Sequence, residues 1–260
     1  MARMTNRIQN KHILVTGASA GFGEAIARAF AAQGAHLELW ARRLDRLNAL
    51  EAEIEKAHGV EVNVQQVDVR DRDHVHAAAA VLAKRDRPID VLVNNAGLAS
   101  GFDPIHEGNV DDWETMIDTN LKGLLYVTRE ILPTMVARNA GHVINIGSVA
   151  GQWIYPKGNV YNATKFAVRA LTEAMSVDMF GTNVRISSVD PGAANTEFSQ
   201  VRLRDVERAN KLYEGYQPLK AEDVADAVVY VANTPPHVMI TKLVITPTAQ
   251  RSPTMIDRKP

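Results

Sequence analysis

The sequence predicts an α/β fold, a doubly wound parallel sheet with helices on both faces. Three observations carry that prediction. Short runs of Val, Ile and Leu alternate with longer amphipathic stretches along almost the whole chain. Strands separated by helices pair in parallel, because a parallel partner needs a long crossover. The chemically suggestive residues fall just after the apolar runs, at the carboxyl edge of the sheet where ligands bind in such folds.

Residues 12–15 read as a buried first strand, followed by glycines and a helix over 22–33. Gly34 stops that helix. A second strand spans 36–40 and a second amphipathic helix 44–58. Residues 60–67 alternate like a strand, 75–85 are Ala-rich and helical, and 89–93 form a fourth strand closed by Asn94-Asn95-Ala96-Gly97. One long helix is expected over 111–138, bent near its end by Pro133. A fifth strand (142–146), a helix (160–180) and a sixth strand (184–189) come next. After Pro191-Gly192 the pattern is irregular and polar until about residue 221. A helix (221–233) and a last strand (242–245) complete a single domain over 1–250, leaving 251–260 as a tail or an oligomer contact.

The 260 residues carry 29 Lys+Arg against 30 Asp+Glu and no Cys. Disulfide scaffolds, Cys-ligated zinc and Cys nucleophiles are thereby excluded. A net charge of −1 gives no global reason to bind nucleic acid or acidic membranes. No apolar run is long enough to cross a bilayer, and the polar, basic start of the chain has no signal-peptide core. A cytoplasmic location is the default expectation.

The segment Thr16-Gly17-Ala18-Ser19-Ala20-Gly21-Phe22-Gly23 joins the first strand to a helix. Glycines there let a diphosphate approach the backbone, and the helix N-terminus offers free N–H groups and a favourable dipole. The spacing Gly-x-x-x-Gly-x-Gly also suits a plain tight turn; the strand before it and the helix after it favour the cofactor. At the end of the second strand stand Ala41-Arg42-Arg43, with no acid to accept a ribose hydroxyl. Guanidinium can grip a 2′-phosphate that a carboxylate would repel, so NADP(H) is expected over NAD(H). Asp68-Val69, after the third strand, can meet adenine or cap the next helix. Asn94, Ala96 and Gly97 can fix the backbone beside a ring or ribose.

Ser148 follows the fifth strand, and Tyr161 and Lys165 lie four residues apart on one face of the next helix. A nearby ammonium stabilises phenolate and lowers a phenol's pKa from about 10. Such a Tyr can trade a proton with a carbonyl or alcohol oxygen, and Ser148 can hydrogen-bond the same oxygen. Asn120 can hold a water linking Lys165 to solvent. Each residue alone has an ordinary structural role; their joint order is what carries the chemistry.

With these motifs the chain resembles the short-chain dehydrogenase/reductase family from about residue 13 to 246. The resemblance implies a single-domain Rossmann-type sheet of about seven strands and hydride transfer at nicotinamide C4. It implies Tyr161 as acid/base, Ser148 as carbonyl polariser, Lys165 on the nicotinamide ribose and Asn120 in a proton relay. Thr196, after Pro191-Gly192, matches the position that holds the carboxamide. The runs around Gly21, Trp113, Gly158 and Thr196 are similar to the NADP-dependent 3-hydroxy acid and serine dehydrogenase branch. The run 147–153 is similar to sulfoacetaldehyde reductases. Asn162, where the family more often has Gly or Ser, is expected to narrow the pocket.

A small anionic aldehyde or hydroxy acid needs a cation, and Arg202 is the candidate. Gln152, Tyr155 and Asn159 are candidate pocket residues. Residues 195–217 are expected to form a lid. A homo-oligomer, dimer or tetramer, follows from the resemblance and from apolar residues on several faces of the two long helices. A cofactor-binding regulatory module without turnover is the alternative from another class; it would lack Ser148, Tyr161 or Lys165, and all three are present.

Overall fold

The computed structural model describes residues 5–85 and 87–259. The first half of the sheet is β1 (His12–Thr16), α1 (Gly21–Ala32), β2 (His36–Ala41), α2 (Leu44–His58), β3 (Val62–Gln66) and α3 (Arg72–Leu82). Next come β4 (Val91–Asn94), α4 (Val110–Ile117), a π-helical turn (Asp118–Gly123), α5 (Leu124–Ala137) and β5 (Gly141–Ile146). A 3₁₀ turn (Val149–Gly151), α6 (Asn159–Asp178) and β6 (Val184–Pro191) follow. The chain closes with α7 (Glu197–Leu203), α8 (Val206–Lys211), α9 (Ala221–Ala232), β7 (Lys242–Ile245), β8 (Gln250–Ser252) and β9 (Met255–Ile256).

The large sheet has the order β3-β2-β1-β4-β5-β6-β7 and every pairing in it is parallel. The order reverses between β1 and β4, and such a switch opens a crevice beyond the carboxyl ends of the strands. Strand side chains alternate between two apolar layers. Ile13 and Val15 pack with Ile26 and Phe30 of α1 and Val228 of α9. Leu14 and Leu92 face the other way, onto Val75 of α3, Val127 and Ile131 of α5 and Val168 of α6. Both faces are buried, which is why these strands read as unbroken apolar runs.

Two expectations are corrected. The helix expected over 111–138 is α4 and α5 joined by the π turn, which contains Asn120. A π turn adds a residue to the helical register, and Asn120 is held there by contacts to another segment. Pro133 lies inside α5, which continues to Ala137, close to the expected end. The stretch 195–217 is not wholly irregular: α7 and α8 form in it, each started by a side-chain cap. Thr196 accepts from the Phe198 N–H, and Asp205 from the Arg208 N–H. Neither helix is long enough to show a periodic apolar stripe.

Residues 250–259 fold back as a hairpin. The Gln250 side chain accepts from the Ala193 N–H at 2.8 Å. Arg258 donates to the carbonyls of Leu212 and Glu214, and the Lys259 N–H to that of Gly215. No described helix is long and apolar enough to cross a membrane.

Candidate active site

The crevice at the switch point runs from the glycine turn, past Arg42, Arg43, Asp68 and Val69, to Ala96, Gly97, Tyr161, Lys165 and Thr196. Backbone approach shapes its floor. Gly17 has φ +68°, and a Cβ there would lie 2.9 Å from Ala96 Cα. A Cβ on Gly23 would strike Gly17 O and stand 2.6 Å from Asn95 Nδ2. Gly23 therefore acts from behind, seating α1 against the turn rather than lining the cleft.

Asn95 ties the two walls together. Its amide donates to Thr16 O at 2.8 Å, while Thr16 Oγ1 accepts from the Asn95 and Ala96 N–H groups, each at 3.1 Å. The sequence points to the amides of Asn94-Asn95 for this role, with Asn94 as the cofactor contact; Asn95 fills it, and the assignment of Asn94 is corrected. Asn94 ends β4 with its side chain on the α5 face, bonded to Thr128 and Asn145, each at 2.9 Å. Within Asn94-Asn95 the strand alternation was the available signal.

The residues fit a dinucleotide carrying a 2′-phosphate. Ala20, the N-cap of α1, makes no side-chain cap bond, and Ala20, Gly21 and Phe22 line the cleft. The first N–H groups of α1 are thus available to a diphosphate. Arg42 and Arg43 stand on the lip with no acid at the end of β2. Arg43 Nε donates to Ser19 Oγ at 3.2 Å, fixing the guanidinium over the glycine turn. Asp68 lines the cleft paired with Arg70, whose hydrogen bonds hold its carboxyl below the usual range. The cap of α3 is Asp71 instead. Pro191 and Gly192 end β6 beside the cleft: the Pro191 carbonyl accepts from Ser148 Oγ at 3.4 Å, and the Gly192 N–H bonds Ile245 O.

Tyr161 and Lys165 project from the first turns of α6, both buried. Burial pushes the Tyr161 phenol well above its ordinary range; the Ser148 hydrogen bond and the Arg202 charge act against this. Lys165 is not among the groups that lower it. Its Nζ donates to Ile146 O at 2.9 Å and lies 6.0 Å from the Tyr161 ring centroid. Burial lowers Lys165 itself to about 8. In this structure the groups that act against the upward shift are the Ser148 hydroxyl and the Arg202 guanidinium.

Asn120 is buried. Its amide donates to Leu98 O at 2.8 Å and Thr164 Oγ1 at 3.1 Å, and its oxygen accepts from the Leu98 N–H at 2.8 Å. Both amide hydrogens are committed, so this side chain is a strut between the cleft loop and α6. Asn162 is also turned from the pocket: it bonds Ala150 O and Trp153 O, holding the loop after Ser148.

Arg202 reaches in from α7. Its guanidinium sits 4.7, 5.3 and 5.5 Å from the ring centroids of Phe102, Tyr155 and Tyr161. Nη1 donates to the Tyr155 hydroxyl at 2.8 Å. Asn159 lines the same small recess and donates to Asp103 O. Gln152 is not at this recess; its amide bonds Asp190 at 3.0 Å. Thr196 lies against the glycine turn, its Cβ 3.6 Å from where a Gly21 Cβ would be. Sequence reasoning missed Asn95, Phe198, whose ring lies 5.6 Å from that of Tyr161, and Glu197. The Glu197 carboxylate takes Arg43 at 3.1 Å and Arg46 at 2.7 Å.

Fold and site together define a dinucleotide-binding oxidoreductase built around a Ser-Tyr-Lys group. The chain belongs to the short chain dehydrogenase family, whose profile matches residues 11–207. The NADP-dependent 3-hydroxy acid dehydrogenase YdfG of Salmonella typhi is 50% identical over 240 residues, covering 92% of this chain and 95% of that protein. Sulfoacetaldehyde reductase 2 of Chromohalobacter salexigens is 44% identical over 240 residues, covering 92% and 94%. The closed form of a serine dehydrogenase complexed with NADP+ superposes with a TM-score of 0.89 at 46% identity, covering 96% of this chain and 100% of that one.

Proposed function

We propose that the protein is an NADP(H)-dependent oxidoreductase acting on a small acid with a 3-hydroxyl, such as L-serine or 3-hydroxypropionate, or on its semialdehyde. One observation carries the substrate class. The Arg202 cation lies 5.5 Å from the Tyr161 ring centroid, so the anionic end and the reacting oxygen of a substrate held by both must be only a few bonds apart. Guanidinium holds a carboxylate through charge-assisted hydrogen bonds.

NADP(H), when bound, supplies or accepts the hydride. The chain does the rest. The glycine turn, the start of α1 and Arg42 with Arg43 would hold the dinucleotide. Thr196 lies beside that turn, which supports its role at the carboxamide. Tyr161, kept protonated by burial, donates its proton to the carbonyl oxygen during reduction and takes it back during oxidation. Ser148 bonds the same oxygen. Residues 195–217 serve as a lid, supported by their bridging contacts: Glu197 reaches Arg43 on one wall, and Arg204 pairs with Asp112 on the other. Closure excludes water from the transfer.

A sulfonate presents the same charge to Arg202, and a relative named sulfoacetaldehyde reductase is 44% identical; reduction of sulfoacetaldehyde is the second reading. Side-by-side kcat/KM values for malonic semialdehyde, L-serine and sulfoacetaldehyde decide between them. Inactivity on all small anionic aldehydes and alcohols refutes both. In Arg202→Ala, KM for the anionic substrate should rise at least about tenfold, with much less effect on an uncharged aldehyde. Equal losses on both would remove Arg202 from the anion site. Assembly as a dimer or tetramer and work in the cytosol belong to the same proposal. Exposed Leu125 and Val136 on α5, and Phe166 and Val177 on α6, support assembly.

A further inference from the structure

Behind the Ser-Tyr-Lys group lies an acid with no part in the steps above. Asp190, in β6, is 3% exposed. Its Oδ2 accepts from Gln152 Nε2 at 3.0 Å. Gly147, directly before Ser148, packs against Oδ1, and any Cβ on Gly147 would strike that oxygen. On the other side of this segment, Lys165 Nζ is bonded to the carbonyl of Ile146 at 2.9 Å. The carboxylate and the ammonium thus sit against the same short stretch of β5 and the turn that follows it.

We propose that Asp190 is a positioning residue for catalysis: through Gln152 and Gly147 it holds the turn that carries Ser148, and it places a negative charge against the same segment that holds the Lys165 ammonium. Gln152 closes the 3₁₀ turn that Ser148 opens, so a bond from Asp190 to Gln152 fixes the far end of that turn. The charges around the pair are few. Burial raises the Asp190 carboxyl above its ordinary range, while Gln152 and the Lys165 and Lys242 charges, from α6 and β7, act against this and favour the anion. Tyr161 is on the same helix as Lys165, and among the described residues Asp190 is the acid that raises Lys165 against the effect of burial. An anion in low dielectric favours the charged form of a nearby amine. Loss of that anion leaves burial unopposed, so Lys165 sheds its proton at lower pH.

The proposal rests on Tyr161 and Lys165 being the catalytic pair, so the test needs a readout independent of turnover. The Lys165 midpoint is measured by ¹³Cε NMR in the free enzyme, with the signal assigned through Lys165→Arg. The pH profile of carbonyl reduction is recorded alongside. Asp190→Asn keeps the shape and an acceptor for Gln152 but removes the charge. The Lys165 midpoint should fall by about one pH unit, which at pH 8 cuts the charged fraction about fivefold. The basic limb of kcat should move with it, while NADPH binding and the thermal transition stay near wild type. Asp190→Ser, smaller than the native side chain, repeats the charge loss if the amide is not tolerated. Asp190→Glu should restore the midpoint. A Lys165 midpoint unchanged in a folded, charge-deleted variant overturns the proposal. A midpoint that moves in an enzyme inert toward every carbonyl supports the hold on Lys165 and refutes the catalytic reading instead.

Discussion

At the scale of single residues, the chemistry depends on which groups remain charged out of water. Tyr161 is held protonated by burial, the form needed to donate to a carbonyl oxygen. Tyr161→Phe should lower kcat at least about a hundredfold, with NADPH affinity nearly unchanged, because only the hydroxyl is lost. Stopped-flow turnover with fluorescence titration of NADPH checks both, and substantial residual turnover would remove the phenol from the proton transfer. Arg42→Ala with Arg43→Ala should weaken NADPH at least about tenfold more than NADH, since each charge-assisted bond to phosphate contributes about 1.5–3 kcal/mol. Equal weakening would contradict a grip on the 2′-phosphate. The Ser-Tyr-Lys group was singled out by the joint order of the motifs and by the family resemblance. Its electrostatics were not legible: spacing on a helix says nothing of the Ile146 carbonyl that holds Lys165, or of the guanidinium that α7 brings over Tyr161.

At the scale of elements, the strands of the large sheet were legible to within two residues at each end, because strands buried on both faces leave apolar runs bounded by polar turns; β8 and β9 fell in a stretch expected to be a tail. The helix over 111–138 was misread at the point where tertiary contact overrides local pattern. Asn120 satisfies the Leu98 N–H and C=O and Thr164 at once, and the register opens into a π turn around it. Asn120→Ala strands those partners and should cost about 2–4 kcal/mol. Urea unfolding would report this as a lower midpoint with an unchanged slope. A loss below about 0.5 kcal/mol would mean that the strut is dispensable. Residues 195–217 were opaque for another reason. Their two short helices are fixed by caps and by ion pairs to distant segments, neither of which leaves a periodic trace.

At the scale of the whole molecule, one buried histidine sets an acid limit. His142 in β5 is 1% exposed and bonded to Ser187 at 2.7 Å. Burial, with the Arg185 charge, lowers its pKa from 6.5 to about 3. The unfolded chain takes up a proton below pH 6.5 that the folded chain refuses until about pH 3. Unfolding therefore binds protons in this window, and stability falls as the pH falls. The loss is on the order of 4 kcal/mol between pH 7 and pH 3. Denaturant titrations across that range, with His142→Gln removing most of the slope, measure it. A slope equal in both proteins would assign the acid sensitivity to other groups.

The hairpin over 250–259 grips both roots of the proposed lid: Gln250 holds Ala193 before it, and Arg258 and Lys259 hold 212–215 at its far end. Cover and clasp are thus a matched pair. An engineer grafting the cover of another enzyme to change selectivity would have to transplant the clasp with it. A graft of residues 195–217 alone would meet the wrong fastening at its distal root.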